Sequence, residues 1–238
     1  MEVNRIYNED CLSGIQHIPD NSIDLILTDP PYLISRDTNF SKGGGMSEKY
    51  GSISMDFGSW DKGSGIDMNI LFSEIHRVLK RGGTVVMFYD IFKIGELNEI
   101  AKRIGLKQPR VGFWDKTNTV PINARVNYLS NCREYFVSFC KGKKGVFNSY
   151  YDKGVYSYPI VGGKDRFHPT QKPVLLMEDL IQTHSNKGDL VLDLFMGSGT
   201  TAIASINTYR NYLGFELDAS FCTKAEERIR KTQESNNG

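Results

Sequence analysis

Residues 190–201 have the sequence LVLDLFMGSGTT, in which a short apolar run passes into a glycine-containing turn. The run predicts a buried strand over residues 190–194, and the apolar spacing after the turn predicts a helix over 200–208. Glycines let the backbone of such a turn approach a ligand closely, and N–H groups at the helix start favour an anionic group. Glu216 ends the next predicted strand, 19 residues after Gly197, where nucleotide-binding folds place the carboxylate that binds ribose hydroxyls. The stretch predicts a site for a nucleoside-bearing cofactor.

The glycine turn departs from the dinucleotide fingerprint, because Ala202 occupies the place of the third glycine. A second phosphate would lack the close helix packing that this glycine provides. NAD is therefore the less natural ligand. S-adenosylmethionine has a ribose and an adenine but no phosphate, which suits the turn better.

Short apolar runs alternate with amphipathic helices along the rest of the chain, which indicates a mostly parallel sheet with helices on both faces. We expect strands at residues 3–7, 23–28, 84–89, 190–194 and 212–216, and helices at 91–104, 200–208 and 219–231. Two further helices should run from Asp67 to the pair Gly82-Gly83 and from Pro173. Their expected apolar faces are Ile70, Leu71, Ile75, Val78 and Leu79 in the first helix and Leu175, Leu176, Leu180 and Ile181 in the second. Residues 107–115 and 133–141 are β-rich, and we expect them to pair antiparallel at a sheet edge.

The composition is that of an ordinary globular protein, with 238 residues, a formal net charge of +1 and 39% hydrophobic residues. No apolar run approaches the roughly 20 residues that a membrane helix needs, and the amino terminus lacks a signal-peptide pattern. The four cysteines form no Cys-x-x-Cys pair and no zinc-type spacing with histidine. We therefore expect a single domain without a metal site, in the reducing cytoplasm.

A second informative stretch, Asp29-Pro30-Pro31-Tyr32, directly follows the predicted strand 23–28. Ligands of open parallel sheets bind beyond the carboxyl ends of the strands, so this turn should line a site. Two successive prolines fix the backbone and remove two N–H donors. The Asp29 carboxylate and the Pro30 carbonyl are left as acceptors beside the ring of Tyr32, which suits a planar amine that donates hydrogen bonds and stacks.

Four motifs occur along the chain, namely Asp29 to Tyr32, DFGSWD at 56–61, HPTQKP at 168–173 and DLFMGSGTT at 193–201. As a set they resemble the permuted DNA amino-methyltransferases, adenine-N6 or cytosine-N4 enzymes that depend on S-adenosylmethionine. The resemblance covers residues from about 6 to 230. It implies a doubly wound, mostly parallel, Rossmann-like α/β methyltransferase sheet with an antiparallel edge hairpin, in one domain over residues 1–238.

The resemblance also divides this single domain by task. The catalytic half starts in residues 1–34, and the cofactor-binding half occupies residues 168–238. Residues 35–67 carry seven glycines and little periodicity, so we expect a long mobile loop there. Residues 117–167 are the candidate target-recognition region.

The resemblance implies roles for individual residues. The expected catalytic residues are Asp29, Pro30, Pro31 and Tyr32. The expected cofactor-binding residues are Asp10, Thr170, Lys172, Asp193, Phe195, Gly197, Ser198, Gly199, Thr200 and Glu216. Asp10 would meet the adenine, Glu216 the ribose and Lys172 the methionine carboxylate, although an ordinary cap role for Asp10 stays open.

The target base follows from the type of acceptor. Carbon-5 methylation of cytosine would need a cysteine nucleophile, which in the related family follows a proline, and none of the four cysteines here does. Aspartate at the first position of the catalytic turn favours adenine, while cytosine-N4 methylation stays open. A base inside a duplex cannot reach such a pocket, so we expect it to be flipped out of double-stranded DNA.

The near-neutral total charge conceals an uneven distribution. Residues 101–172 carry 14 Lys and Arg against 4 Asp and Glu, a net charge of +10, while the remaining residues carry 15 against 24, a net charge of −9. Such a basic stretch is expected where a protein contacts phosphates. The expected DNA-binding residues are Lys42, Arg125, Arg133, Lys141, Lys143 and Lys144.

Two other classes of protein stay open on the sequence. A nicotinamide-dependent oxidoreductase would explain the glycine turn and Glu216, but not the turn at Asp29. A non-catalytic DNA-binding module would be expected to carry damaged motifs, and both turns are intact. The resemblance further allows a homodimer and a separate restriction endonuclease in another chain.

Overall fold

Eight strands form one sheet in the computed structural model, which describes residues 1–31, 66–119, 132–163 and 166–236. The strands are β1 (Arg5–Tyr7), β2 (Ile23–Thr28), β3 (Leu79–Phe88), β4 (Leu106–Lys116), β5 (Arg133–Lys141), β6 (Val155–Tyr158), β7 (Leu190–Asp193) and β8 (Asn211–Phe215). Their spatial order is β1-β8-β7-β2-β3-β5-β4-β6. Almost all of the predicted loop at 35–67 lies outside the described residues.

Six α-helices accompany the sheet in these described segments, and each begins or ends at a recognisable signal. They are α1 (Cys11–Gly14), α2 (Met68–Val78), α3 (Ile94–Ile104), α4 (Val174–His184), α5 (Thr200–Asn207) and α6 (Ala219–Asn236). Asp67 begins α2 by accepting hydrogen bonds from the backbone N–H groups of Asn69 and Ile70, and Gly105 ends α3. None of the helices in the described ranges is long and apolar enough to span a membrane.

The sheet combines a parallel part and an antiparallel part. Strands β1, β8, β7, β2 and β3 are parallel neighbours, whereas β5 runs antiparallel between β3 and β4. The predicted mostly parallel sheet with an antiparallel pair is therefore confirmed. The pair lies one strand inside the edge, because β6, which comes from a stretch without clear periodicity, adds parallel to β4.

Helices cover both faces of the sheet, as expected for a doubly wound fold. On one face, α4 packs against β2 and β3, where Leu180, Leu25 and Val86 are fully buried. On the other face, Phe72 of α2 meets Phe139 of β5 edge to face, with ring centroids 6.0 Å apart. Burial on both faces explains why β2 and the second half of β3, residues 84–88, appear in the sequence as nearly continuous apolar runs.

The carboxyl ends of two helices differ from the prediction by several residues, and helix α3 begins at Ile94, after a 3-10 turn over residues 91–93. Helix α2 ends at Val78 and not at Gly82-Gly83, because Leu79 already pairs with Ile23 and begins β3. Helix α6 continues to Asn236, beyond the predicted end at residue 231.

Two apolar residues lie outside the buried faces on which they were expected. Ile70 is 52% exposed and Leu175 is 59% exposed. The other members of the two predicted faces are fully buried, namely Leu71, Ile75 and Val78 of α2 and Leu176, Leu180 and Ile181 of α4. The spacing of apolar residues therefore predicted both helices and their buried faces correctly, except for the first apolar residue of each face.

Candidate active site at the carboxyl ends of the strands

The catalytic turn and the glycine turn meet at one end of the sheet. Asp29 follows the last residue of β2, Asp193 ends β7 and Glu216 follows the last residue of β8. These strands are parallel neighbours, so their carboxyl ends lie together. The hydroxyl of Thr28 donates a hydrogen bond to Asp193 Oδ1 at 2.9 Å, which joins the ends of β2 and β7 directly. This is the edge where ligands bind in open parallel sheets.

Asp29 is held by Lys172, a residue of the HPTQKP motif. Lys172 Nζ donates a hydrogen bond to Asp29 Oδ2, and only 5% of the Lys172 side chain and 15% of the Asp29 side chain are exposed. The ammonium also lies 4.9 Å from the ring centroid of Phe88, a cation–π contact. The fold thus joins two residues that the sequence analysis assigned to different ligands, the amine and the methionine end of the cofactor.

The other carboxylate oxygen of Asp29, Oδ1, is buried and accepts no hydrogen bond from any described residue. A buried acceptor without a donor costs roughly 1–3 kcal/mol, so this oxygen indicates a donor that arrives with a ligand. Pro30 is buried, and Pro31 is the last residue described before the gap. Tyr32 and the motif at 56–61 lie outside the described residues.

Two charged residues that the sequence analysis missed complete the cluster around Asp29. Glu134, at the start of β5, places its Oε2 3.0 Å from Lys172 Nζ, an ion pair without hydrogen-bond angles. Its Oε1 lies 2.7 Å from the ammonium of Lys116 at the end of β4. Asp29, Lys172, Glu134 and Lys116 therefore alternate in charge, and we call these four residues the charge row.

The charge row sets the ionisation of both carboxylates. Burial raises the pKa of Asp29 to about 6; Lys172 opposes this rise, and the negative charges of Glu134 and Asp193 add to it. Burial also disfavours the charge of Glu134, but Lys172 and Lys116 outweigh it and hold the pKa of Glu134 below its usual value. Asp29 thus ionises just below neutral pH, beside a carboxylate, Glu134, that is ionised at lower pH as well.

Gly197 and Gly199 give the glycine turn its shape. Their φ angles are 52° and 75°, in the left-handed region where a side chain is strained. A Cβ atom at Gly197 would lie 3.3 Å from the ring of His168, and one at Gly199 would lie 3.1 Å from Ala225 of α6. Glycine is therefore needed at both positions, and the turn presents bare backbone.

Glu216 links this turn to the end of β8. Its Oε2 accepts a hydrogen bond from the N–H of Gly197 at 2.7 Å, and its Oε1 accepts one from the N–H of Asp218 at 2.8 Å. These two bonds fix the carboxylate in place, and each oxygen keeps a second lone pair for another donor. Burial raises the pKa of Glu216. The carboxylate is thus an ordered acceptor suited to ribose hydroxyls.

Three of the predicted cofactor residues use their side chains inside the protein. Asp193 accepts hydrogen bonds from two threonine hydroxyls and one backbone N–H, and burial raises its pKa to about 6. The hydroxyls of Ser198 and Thr200 lie 2.9 Å apart, and Arg228 donates to Thr200 Oγ1 at 3.0 Å. These side chains shape the turn, and any contact of Ser198 and Thr200 with a cofactor would come from their backbone.

Asp10 and Thr170 are two further residues that the resemblance assigned to the cofactor, and both make contacts within the protein. Asp10 Oδ1 accepts hydrogen bonds from the backbone N–H groups of Leu12 and Ser13 and begins α1, which is the cap role that the sequence left open. The hydroxyl of Thr170 lies 3.2 Å from His168 Nδ1, and burial lowers the pKa of that histidine to about 4. Cofactor contacts of Asp10 and Thr170 stay predictions.

The expected DNA-binding residues do not lie together where the structure describes them. Lys42 and Arg125 lie outside the described residues. Arg133, at the start of β5, is at the same end of the sheet as Asp29. Its guanidinium pairs with Asp115 at 3.1 Å, and half of the side chain remains exposed. Arg133 is therefore the described member of the set best placed to reach a phosphate near the site.

Lys141 corrects the prediction, because its ammonium is used inside the protein. Nζ donates hydrogen bonds to Asn21 Oδ1 at 2.8 Å and to the carbonyl oxygens of His76 and Leu79 at 2.6 and 2.8 Å. These bonds tie the end of β5 to the end of α2, at the opposite end of the sheet from Asp29. Lys143 and Lys144 follow Lys141 at that same distant end, which argues against contact with DNA at the site.

The residues at the carboxyl ends of the strands fit S-adenosylmethionine. Gly197 and Gly199 leave a turn without side chains, Glu216 offers an ordered acceptor for ribose hydroxyls, and the orphaned Oδ1 of Asp29 lies at the adjacent strand end. The site therefore defines an enzyme of the doubly wound α/β class that brings a nucleoside cofactor and an amine together.

Comparisons with known proteins agree with this class. A family model described as DNA methylase matches residues 23–227, and the chain belongs to this family. It is therefore a DNA methyltransferase that depends on S-adenosylmethionine, and the oxidoreductase and non-catalytic alternatives are excluded. The type II methyltransferase M2.MboI of Moraxella bovis is 31% identical and is aligned over 94% of this chain and 86% of its own length. The type II methyltransferase M.HinfI of Haemophilus influenzae is 29% identical and is aligned over 99% of this chain and 70% of its own length.

Solved structures show the same architecture. The crystal structure of M1.HpyAVI in complex with SAM aligns with a TM-score of 0.70 and 25% identity, over 94% of this chain and 98% of that one. The cytosine-N4-specific PvuII DNA methyltransferase aligns with a TM-score of 0.71 at 18% identity, over 95% and 90%, and shows the fold alone. The Rossmann-like methyltransferase fold expected from the sequence is therefore confirmed.

Proposed function

We propose that this methyltransferase modifies the N6 amine of adenine in double-stranded DNA, with Asp29 as the main acceptor for that amine. The observation that carries the proposal is the buried Oδ1 of Asp29, which lacks a donor among the described residues. An exocyclic amine supplies the N–H group that this oxygen needs. Aspartate, and not serine, at this position is the sequence feature that favours adenine over cytosine.

Two acceptors of this chain would act on the amine. The lone pair of an exocyclic amine is delocalised into the ring, so the amine is a poor nucleophile. The Asp29 carboxylate and the Pro30 carbonyl would accept its two N–H hydrogens, localise the lone pair on nitrogen and stabilise the positive charge that develops there. S-adenosylmethionine supplies the electrophilic methyl group. Holding the amine in line supplies much of the acceleration.

The remaining site residues would position the two ligands. Glu216 and the backbone from Gly197 to Thr200 would hold the nucleoside part of the cofactor, and Thr170 and Lys172 would face its methionine end. Asp10 would contact the adenine through Oδ2, since Oδ1 accepts the hydrogen bonds that begin α1. Tyr32 would stack on the flipped base, at roughly 1–3 kcal/mol, which offsets part of the few kcal/mol that flipping costs.

The target base is tested directly by the product. The purified protein is incubated with labelled S-adenosylmethionine and unmethylated double-stranded DNA, and the labelled nucleoside is identified after digestion. We expect N6-methyladenine. Recovery of N4-methylcytosine would contradict the choice of adenine, and modification-aware sequencing of the same DNA identifies the recognised site.

The role of Asp29 is tested by Asp29→Asn, which keeps the shape and removes the charge. We expect kcat to fall by roughly 10²- to 10³-fold or more, the cost of losing a group that stabilises developing charge, while calorimetry shows nearly unchanged affinity for S-adenosylmethionine. The control is Asp24→Asn. Asp24 is a part-buried carboxylate at the other end of β2, paired with Lys80 at 2.7 Å. Full activity of Asp29→Asn would refute the acceptor role.

We also propose a wider setting for this protein, from its composition and its resemblance to the relatives. The four cysteines are unpaired, which suits the reducing cytoplasm where DNA is available. A homodimer and a separate restriction endonuclease are compatible with the relatives named as type II methyltransferases. Light scattering of the purified chain, and a test of whether its methylation protects DNA from a cognate nuclease, address these two points.

A further inference from the structure

The charge row connects Asp29 to residues that lie outside the four sequence motifs. Lys172 Nζ contacts a carboxylate on each side, Asp29 Oδ2 and Glu134 Oε2, and Lys116 contacts Glu134 from the far side. Glu134 and Lys116 come from β5 and β4, whose residues 133–141 and 106–116 form the antiparallel part of the sheet. Neither side chain is hydrogen-bonded to the orphaned Oδ1 of Asp29.

We propose that Glu134 is a positioning residue for methyl transfer, which acts on Asp29 by sharing the ammonium of Lys172. The inference rests on the proposed role of Asp29 as the amine acceptor. Lys172 fixes Asp29 through Oδ2 and leaves Oδ1 open to the amine. Glu134 contacts Lys172 from the opposite side, so the positive charge of the ammonium is shared between Glu134 and Asp29.

The charge balance explains why this sharing matters. The four residues of the charge row carry two negative and two positive charges, so the buried cluster is neutral as a whole. A Lys172 ammonium paired with Asp29 alone would draw electron density from its carboxylate and weaken it as an acceptor. Glu134 counters that effect, and Lys116 in turn compensates Glu134. The aromatic rings of Phe88 and Trp114 lie under the two ammonium groups and shield them from water.

A pH profile separates this role from a merely structural one. The charged groups that act on Asp29 are Lys172 from the segment before α4, Glu134 from β5 and Asp193 from β7. Because Glu134 raises the pKa of Asp29, the neutral variant Glu134→Gln should move the acid limb of the kcat profile to lower pH. We expect the plateau to fall by about tenfold, less than the roughly 100-fold cost of misplacing a reacting group by about 1 Å.

Lys116→Met provides a second variant with the opposite sign. Without Lys116, the negative charge of Glu134 is less compensated, so the pKa of Asp29 rises further and the acid limb moves to higher pH. Opposite shifts from two neighbouring substitutions are not expected from a general loss of packing. This pair also keeps the inference testable if one of the variants fails to fold.

The experiment measures kcat against pH for the wild-type protein, Glu134→Gln, Lys116→Met and the control Asp24→Asn, with thermal unfolding of each. Asp24→Asn removes a part-buried, ion-paired carboxylate far from the site and should leave the acid limb in place. If the acid limb of the kcat profile lies at the same pH in Glu134→Gln, Lys116→Met and Asp24→Asn, the positioning role is refuted. If Asp29→Asn itself retains activity, the proposed function fails, whatever these shifts show.

Discussion

Lys172 and Lys141 occupy opposite ends of the same sheet and illustrate two uses of a lysine inside a protein. Lys141 donates to backbone carbonyls and an asparagine side chain at the amino end of β3, and ties β5 to α2. Lys172 lies at the carboxyl end of β2 between two carboxylates. Each has a buried oxygen without a hydrogen bond from the described residues, Glu134 Oε2, which lies 3.0 Å from Lys172 Nζ, and Asp29 Oδ1. Both lysines are ordered, yet only the second is next to an unmet hydrogen-bonding requirement.

The difference shows where a ligand belongs. At the Lys141 end the ammonium is satisfied by groups of the protein itself, so its contribution is to stability. At the Lys172 end the buried charges alternate, and the arrangement keeps an acceptor open at a cost in folding free energy. An unmet acceptor of this kind is expected at sites that trade stability for function.

Replacing each lysine by methionine should give the largest contrast. Lys172→Met leaves Asp29 and Glu134 without their shared counter-ion, and removing one partner of a buried ion pair costs roughly 3–5 kcal/mol. Methyl transfer should be lost, or its acid limb should move to higher pH. Lys141→Met should cost about 1–2 kcal/mol through lost hydrogen bonds and leave the pH profile unchanged. Chemical denaturation and pH–rate measurements compare the two variants.

The pH dependence of the wild-type enzyme gives the next largest effect. The ionised form of Asp29 is the one that stabilises the positive charge developing on the amine nitrogen, and burial raises the pKa of Asp29 to about 6. Activity should therefore be full above that value and fall about tenfold per pH unit below it. A kcat profile that stays flat down to pH 4.5 would contradict the assignment, because it would indicate an aspartate with an ordinary pKa.

Two glycines extend the contrast to the backbone. Gly199→Ala should destabilise the protein by roughly 1–2 kcal/mol because of its left-handed conformation, and should weaken S-adenosylmethionine binding because Cβ would press on Ala225 at 3.1 Å. Gly95→Ala in α3 is the control, since a Cβ there meets nothing within 4 Å. That substitution should be neutral or stabilising by about 0.5–1 kcal/mol. Thermal unfolding and calorimetry distinguish the two.

The smallest effect concerns DNA. Arg133→Gln, at the Asp29 end, should weaken DNA binding and reduce the slope of log K against log salt concentration by about 1, as expected for one lost phosphate contact. Lys143→Gln, at the far end, should change neither quantity. Equal losses from both variants would show that DNA covers the two ends of the sheet alike.

Much of this site could be predicted from the sequence, because its main parts are local motifs. The glycine turn, Glu216 and the Asp29 turn each follow a strand directly, and a strand followed by such a turn has few alternative geometries. Glu134 and Lys116 could not be predicted, since each appears in the sequence as a charged residue at the end of a strand. Their importance depends on the pairing of β5 with β4, which brings Glu134 to Lys116. It also depends on the fold bringing Glu134 close to Lys172, which is 38 positions away in the sequence.

The basic segment shows the opposite error. Residues 101–172 carry a net charge of +10, but a sum of charges does not say which of them face solvent. Lys116 and Lys172 are committed to the charge row, and Lys141 is committed to the carbonyls at the end of α2. Charge counting therefore overestimated the surface available to phosphates.

The sequence by itself determined the class of fold, the order of the catalytic and cofactor motifs and the chemistry of the acceptor, because each depends on residues that are neighbours along the chain. Only the tertiary structure decided which charges meet. It brought Asp29, Lys172, Glu134 and Lys116 from four separate segments into one neutral cluster, and it placed Lys141 at the far end of the sheet. Electrostatic interactions depend on distance and burial in space, and neither quantity can be read from positions along the chain.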